Sequence, residues 1–147
     1  MAVDAFPQIL KTFGQNLGLD GLSLDERGDC LLSFDQVLVN LHWNQENLLI
    51  FSPVGELPSE ASAAVYEELL AANCLRAEGW VLGLEPQNRS VIISAQLPAR
   101  DLELAKLENF LAWFVDRAEN WQIRLEGLLH GDEAKPLPSA PEFGLKA

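Results

Sequence analysis

Apolar residues recur at helical spacing at both ends of the chain. Within residues 4–17 they stand three or four positions apart, and the same spacing continues without a break through residues 104–128. This period predicts two amphipathic helices, the second about seven turns long after a cap at Asp101. The first stripe consists of Phe6, Ile9, Leu10, Phe13 and Leu17. The second consists of Leu104, Leu107, Leu111, Phe114, Ala118, Trp121, Leu125 and Leu128, whose bulky aromatics favour packing across a sheet over a coiled coil.

Between these helices, short stretches alternate apolar and polar residues with a period of two. In residues 37–43, Val37, Val39, Leu41 and Trp43 alternate with more polar neighbours, as in a strand with one buried face. Residues 30–34 and 48–51 complete a predicted three-stranded meander, which Pro53, Gly55 and Pro58 end. Residues 80–84 and 91–97 predict a further hairpin that turns through residues 85–89.

A second helix is predicted over residues 59–72, with Ser59 as its N-cap. It carries two apolar rows, one with Val65, Leu69 and Ala72 and the other with Tyr66, Leu70 and Asn73. Contact with one sheet needs only a single row. The extra row is covered either by loops of the same chain or by a second copy of the protein.

The order of elements is therefore helix, three strands, helix, two strands and helix. We expect an α+β domain with the order α-β-β-β-α-β-β-α, in which helices pack on a twisted, mainly antiparallel sheet of five strands. Residues 1–130 form this single domain. Residues 131–147 contain three prolines and little periodicity, and we expect a flexible tail.

The segment around the second helix and the hairpin resembles the class I secretion chaperones of bacterial type III systems, the Tir-chaperone (CesT) family. The family pattern is LL-x-AN, a linker, and G-x-x-LGLD followed by V-x-L. Glu85 replaces the Asp that the family often has in this turn. Further similar stretches are residues 24–35, 54–58 and 107–121, so the resemblance extends over residues 3–128. The matching positions are Leu69, Leu70, Ala72, Asn73, Gly79, Leu82, Gly83, Leu84 and Val91.

This resemblance implies a homodimeric chaperone that needs no ATP. It holds the N-terminal region of one or more secreted effectors in a non-globular, export-competent form in the bacterial cytoplasm. It also implies that the second helix and the strand after it form the dimer surface, and it leaves the secretion ATPase open as another partner. The dimer-interface candidates are Val65, Tyr66, Leu69, Leu70, Asn73, Trp80 and Leu82.

Effector binding needs apolar surface that the first helix and the meander leave uncovered. If Val39, Leu41 and Trp43 face the helices, then Leu38 faces the opposite side of the sheet. The hydrophobic core is the alternative location for every candidate. The effector-binding candidates are Phe6, Phe13, Leu38, Leu48 and Ile50.

Composition limits the kinds of partner. The chain has 147 residues and a formal charge of −12, with ten Lys and Arg against 22 Asp and Glu. Nucleic acid is not an expected partner, because phosphate binding needs clustered basic side chains. No apolar run approaches the roughly 20 residues that span a bilayer, and the first residues lack the basic start of a signal peptide. We therefore expect no membrane insertion.

The sequence contains no recognisable catalytic motif. His42 and His130 are the only histidines, and no G-x-S-x-G elbow or phosphate-binding loop is present. Cys30 and Cys74 lack the spacing of a metal site and are expected to be buried free thiols. We therefore predict a protein that is not an enzyme and has no cofactor. A regulatory protein-binding adaptor of the secretion system and a small enzyme with an unrecognised site remain as alternatives.

Truncation of the chain after His130 is expected to leave its stability almost unchanged, because the composition of residues 131–147 provides few apolar contacts to lose. Thermal unfolding of the full and truncated chains measures this. A loss above about 2 kcal/mol would show instead that Leu137 or Phe143 packs on the domain, since losses of that size come from the core.

Overall fold

A computed structural model of the protein describes residues 4–74 and 78–130. Within them the chain folds into three α-helices, five β-strands and one short 3-10 helix. The helices are α1 (Phe6–Asn16), α2 (Ala63–Ala72) and α3 (Leu104–Leu129). The strands are β1 (Asp29–Phe34), β2 (Val37–Trp43), β3 (Asn47–Glu56), β4 (Trp80–Glu85) and β5 (Ser90–Pro98).

The strands form one sheet in the order β1-β2-β3-β5-β4, and each neighbouring pair is antiparallel. The helix α3 lies across β3, β2 and β5, while α1 packs on α3 and α2 packs beside β4. These observations confirm the predicted fold class, including the order of its elements. The edge strands are β1 and β4.

Strand register gives the sheet two unlike faces. Leu41 of β2 lies opposite Cys30 of β1 and Ile50 of β3, and Ile50 lies opposite Ala95 of β5. All four side chains are buried in the hydrophobic core. We call this side the covered face, because the helices pack on it. Along each strand, the alternate residues point to the opposite side of the sheet, the open face, where side chains are exposed or half-buried.

Strand β3 continues beyond the predicted stop. It runs through Pro53 and Gly55 to Glu56, with an irregularity in its register with β5 between Pro53 and Gly55. The register with β2 ends at Phe51, so this part of β3 is paired on one side only. A proline lacks the N–H that a central strand would use, but a one-sided or bulged strand tolerates it. The prediction that these residues end the strand was therefore wrong.

Two predicted helix starts also differ from the structure. Helix α2 has Ser62 at its N-cap, and the hydroxyl of Ser59 donates instead to the Glu60 carboxylate, 2.7 Å away. Helix α3 has Glu103 at its N-cap, because residues 99–101 form the short 3-10 helix. Neither N-cap side chain bonds the helix backbone, so side-chain capping does not specify these starts.

The predicted tail, residues 131–147, lies outside the described residues. Within residues 4–74 and 78–130, no helix combines the length and the apolar character needed to cross a membrane.

Replacing an apolar residue with Glu should destabilise the protein much more on the covered face than on the open face. Ile50→Glu places a carboxylate at a fully buried position, so we expect a loss of at least about 4 kcal/mol in the free energy of unfolding, or no folded protein. Leu38→Glu alters a side chain that is 47% exposed on the open face and should cost at most about 1 kcal/mol. Urea unfolding followed by circular dichroism distinguishes them. Equal losses would mean that both faces are covered.

Candidate functional site

An apolar groove lies between α2 and the end of β4. Its volume is about 150 Å³, and none of the described Asp, Glu, Lys or Arg residues lines it. We call it the α2–β4 groove. Leu70 and Leu84 are its exposed hydrophobic members, at 71% and 41%. Its lining residues are Leu57, Tyr66, Leu69, Leu70, Asn73, Leu82, Gly83, Leu84 and Val91.

The polar side chains of the groove are already hydrogen-bonded within the chain. The amide nitrogen of Asn73 donates to the Leu82 carbonyl, and the Leu82 N–H donates to the Asn73 carbonyl oxygen, both at 2.7 Å. The guanidinium of Arg89 donates to the hydroxyl of Tyr66 and, at 3.1 Å, to the carbonyl of Leu57. An occupant of the groove therefore meets aliphatic and aromatic surface, with the amide of Asn73 already paired.

The amide of Asn73 also closes part of a sheet edge. Leu82 bonds this amide with both its N–H and its carbonyl, so these groups point away from β5. Asn73 thus takes the place of a neighbouring strand at that residue. The β4 edge is blocked at Leu82 against pairing with another chain.

The structure divides the predicted dimer residues into two groups. Val65, Trp80 and Leu82 are buried, and the ring of Trp80 contacts that of Trp121 edge-on at 6.1 Å. Tyr66, Leu69 and Asn73 are half-buried, and Leu70 is exposed. Leu70 is therefore the most accessible member, while the buried residues support the groove from below. The sequence prediction missed Leu84, although the alternation of β4 places it on the same face as Leu82.

Four of the five predicted effector-binding residues are inaccessible. Phe6 is buried against Trp43 with ring centroids 4.7 Å apart, and Phe13 is buried on the inner side of α1. Leu48 lies opposite Trp43, so the register turns Leu48 and Ile50 to the covered face, where both are fully buried. The prediction that these four side chains offer surface to an effector was wrong. Leu38 is exposed as predicted.

Leu38 has one exposed apolar neighbour on the open face. Leu31 is 61% exposed and lies diagonally across the β1–β2 pair from Leu38, so the two form a small apolar patch beside the β1 edge. Phe51, half-buried on β3, and Val81, 53% exposed on β4, lie in the same cross-strand row as Leu31, but Asn40 and Ser94 separate the three. Leu31 and Phe51 were not among the predicted residues.

The β1 edge is open at this patch. The N–H of Trp43 donates to the carbonyl of Gly28 across the β1–β2 pair, and alternation from there turns the peptide groups of Asp29, Leu31 and Ser33 outward. Asp25 bonds both groups of Asp29. No residue in the described part of the chain bonds the outward backbone groups of Leu31 or Ser33. These groups remain available to an added strand.

A second groove runs along this free edge. It has a volume of about 470 Å³ and is lined by residues 18–22 and 31–33. Leu19 and Leu31 provide exposed apolar surface there, at 45% and 61%. We call the groove, with the outward peptide groups of Leu31 and Ser33, the β1 edge site. Its lining combines apolar side chains with unpaired peptide groups, as in sites that bind an extended peptide by strand addition.

Acidic groups lie beside the β1 edge site. The backbone N–H of Asp29 lowers the pKa of the Asp25 carboxyl, because that bond favours the ionised form. Asp29 also lies 2.6 Å from Nδ1 of His42 on the open face. Burial, with a smaller contribution from the charge of Asp25, raises the pKa of the Cys30 thiol. That thiol is therefore a poor nucleophile at neutral pH.

Among residues 4–74 and 78–130, no group of three or more His, Cys, Asp or Glu side chains is arranged to hold a metal ion. Both cysteines are free thiols, and Cys30 is buried as expected. The expectation that Cys74 is buried was wrong, because it lies just past the end of α2 and is exposed. The surfaces described above are suited to contact with other polypeptide chains.

Comparison with known proteins identifies a family for this sequence and several solved structures with a similar fold. A profile of the Tir chaperone protein (CesT) family matches residues 8–122. A chain of the ExsC–ExsE complex is 31% identical, with a TM-score of 0.76, and the match covers 85% of this chain and 97% of the other. A search of curated proteins found no match.

Two further solved structures show the same fold at lower identity. One contains the type III secretion chaperone SycH of Yersinia pestis with a fragment of YscM2. It is 22% identical with a TM-score of 0.62, covering 79% of this chain and 98% of the other. The other is the ExoT–SpcS complex from Pseudomonas aeruginosa, 19% identical with a TM-score of 0.59, covering 81% and 98%.

The family profile spans most of the chain and includes most of α1, all of α2, the entire sheet and most of α3. The likeness to the ExsC–ExsE chain extends over nearly all of that chain's length. By fold and by sequence, this chain belongs to the Tir chaperone protein (CesT) family.

Proposed function

We propose that this protein is a homodimeric type III secretion chaperone of the bacterial cytoplasm. It binds the N-terminal region of a secreted effector in non-globular form and keeps it soluble and competent for export. Membership of a chaperone family carries this proposal. The family is not an enzyme family, and we propose that the chain has no catalytic activity of its own. Two separate apolar surfaces support the assignment, since a dimeric chaperone needs one for its partner copy and one for its cargo.

The α2–β4 groove is the proposed dimer surface. Its exposed leucines and the lack of charge in its lining suit a permanent apolar interface, whose core excludes charged side chains. Two copies with a formal charge of −12 each repel one another, so their contact must lie where that charge is absent. An interface of this kind buries above about 1,200 Å² in total.

The open face and the β1 edge site form the proposed effector surface. An extended effector segment can pair with the outward peptide groups of Leu31 and Ser33 and so continue the sheet. Its alternate side chains then lie beside Leu31 and Leu38 on the open face. The β4 edge cannot serve in the same way at Leu82, because the Asn73 amide occupies it.

Charge favours one class of effector segment. The carboxylates of Asp25 and Asp29 lie beside the β1 edge site, within a chain of strongly negative charge. Basic side chains in the effector would be attracted to this surface over roughly a Debye length of 8–10 Å. Added salt should therefore slow the association of chaperone and effector.

A single charge in the α2–β4 groove is expected to separate the dimer. Leu84→Asp replaces a partly exposed leucine with a carboxylate that the partner copy would have to desolvate. We expect wild type to be a dimer at micromolar concentration and the variant to be a folded monomer, by light scattering after gel filtration. Ile123→Asp is the matched control, because Ile123 is 72% exposed on α3 and does not line the groove. A monomeric wild type would disprove the dimer.

Two substitutions test the effector surface separately, one by removing a backbone hydrogen-bond donor and the other by altering an apolar side chain. Ser33→Pro removes an outward N–H from an edge strand without changing the apolar patch, and Ser33→Ala keeps that N–H. Leu38→Glu alters the patch and leaves the edge intact. We expect Ser33→Pro and Leu38→Glu each to weaken binding at least about tenfold, or 1.4 kcal/mol, with Ser33→Ala unchanged.

Isothermal titration calorimetry measures the binding. The ligand is the N-terminal segment of the secreted protein that mass spectrometry identifies as copurifying with the chaperone. Circular dichroism confirms that each variant is folded. If Ser33→Pro binds as wild type and Leu38→Glu does not, the effector uses the open face without strand pairing. If both bind as wild type, the effector surface lies elsewhere.

A further inference from the structure

Residues 25–29 close one end of the β1 edge. The Oδ1 atom of Asp25 accepts the N–H of Asp29 at 2.9 Å, and the N–H of Asp25 donates to the Asp29 carbonyl at 2.8 Å. The same Oδ1 accepts the N–H of Arg27 at 2.8 Å, and the N–H of Gly28 donates to the Asp25 carbonyl at 3.0 Å. This segment therefore folds over the outward side of Asp29 and occupies both of its peptide groups.

The turn between β1 and β2 closes the other end of the same edge. Strand β1 ends at Phe34, which pairs with Val37, and Asp35 between them has a φ of 54°. Between the two closed ends, Leu31 and Ser33 each offer one N–H and one C=O to an added strand. The open part of the edge is therefore short.

A short paired stretch limits how tightly an added strand can bind. Each backbone hydrogen bond changes an equilibrium constant by roughly two- to twelvefold. An added strand that continued along β1 would gain further bonds at Asp29, but Asp25 already occupies these groups. Asp25 is exposed and is not part of the hydrophobic core. The fold of the domain therefore does not depend on its side chain for packing.

We infer that Asp25 is a positioning residue that ends the added effector strand at Asp29. The bound segment pairs with Leu31 and Ser33 and then leaves the sheet, so the contact stays short and the release of the effector stays fast. The inference rests on the proposed effector surface and adds the residue that limits its pairing. Loss of an ordinary contact weakens binding, whereas loss of the Asp25 side chain should strengthen it.

Three substitutions remove the bonds between Asp25 and Asp29 in steps. Asp25→Asn loses the charge but keeps an oxygen acceptor and the N–H, Asp25→Ala loses the acceptor, and Asp25→Pro loses both groups. The ligand is the N-terminal segment of the copurifying secreted protein. We expect its dissociation rate to be unchanged in Asp25→Asn, at least about twofold lower in Asp25→Ala and at least about fivefold lower in Asp25→Pro. Surface plasmon resonance measures these rates, on which exposed charge has little effect.

Amide hydrogen exchange, followed by NMR, locates the paired residues. In wild type, the effector segment should slow the exchange of the Leu31 and Ser33 amides, while the Asp29 amide is already bonded in the free protein. In Asp25→Ala, the Asp29 amide should exchange rapidly in the free protein and slowly in the complex. A purely structural role of Asp25 would not give Asp29 protection that depends on the effector. Circular dichroism confirms that each variant is folded, and the Asp25→Ala result stands if Asp25→Pro is not.

The outcomes separate this inference from the proposed effector surface. If the segment protects neither Leu31 nor Ser33 in wild type, strand addition at β1 is wrong and the inference fails with it. If both amides are protected but Asp25→Ala shows no new protection of Asp29 or no slower dissociation, Asp25 does not end the strand, and the effector surface stands. If the variants self-associate by light scattering without slower release of the effector, Asp25 prevents contact between copies instead, and the inference fails.

Discussion

The antiparallel register between β2 and β3 determines what the rest of this molecule can do. It places Leu41 opposite Ile50, so the apolar sets of the two strands fall on the same face, where α3 and α1 cover them. The other set, which includes Leu38, is left facing outward. A slip of one residue would exchange the two sets along a strand. The chaperone fold therefore obtains its core and its open face from one pairing.

The two sheet edges are treated differently, and side chains account for the difference. At β4 the amide of Asn73 bonds both peptide groups of Leu82 and so substitutes for a strand. At β1 the corresponding role belongs to Asp25. Among the outward-facing residues of β1, Asp25 bonds only Asp29, and the next ones, Leu31 and Ser33, are left open. An open edge favours aggregation unless something protects it. Here the nearby carboxylates and the high net charge of −12 oppose contact between copies at that edge.

This asymmetry supports the proposal that the partner copy and the effector bind to separate surfaces. The α2–β4 groove offers an uncharged lining whose Asn73 amide is already paired, which suits a permanent contact between identical chains. The β1 edge site offers free peptide groups beside acidic side chains, which suits an extended, changeable ligand. Strand addition depends mainly on the backbone, so it tolerates varied effector sequences. Under this proposal the dimer remains intact while cargo binds and leaves.

Local periodicity by itself determined the type and order of the elements. The alternation in residues 37–43 and the stripe in residues 104–128 were sufficient, because helical and extended spacing are properties of neighbouring residues. The same reasoning found the hairpin and the two-sided apolar character of α2. It also singled out Leu70 and Leu38, which the structure shows to be exposed.

Only the tertiary structure decided which of the apolar residues are exposed at the surface and which are buried. Leu38 and Ile50 are equally apolar in sequence, yet the turn between β2 and β3 sets a register that exposes one and buries the other. Phe6 is buried because α1 brings it against Trp43, 37 positions away by their numbering. The role of Asn73 depends on a strand that follows it in the chain. Accessibility depends on contacts between distant segments, and no local pattern contains them.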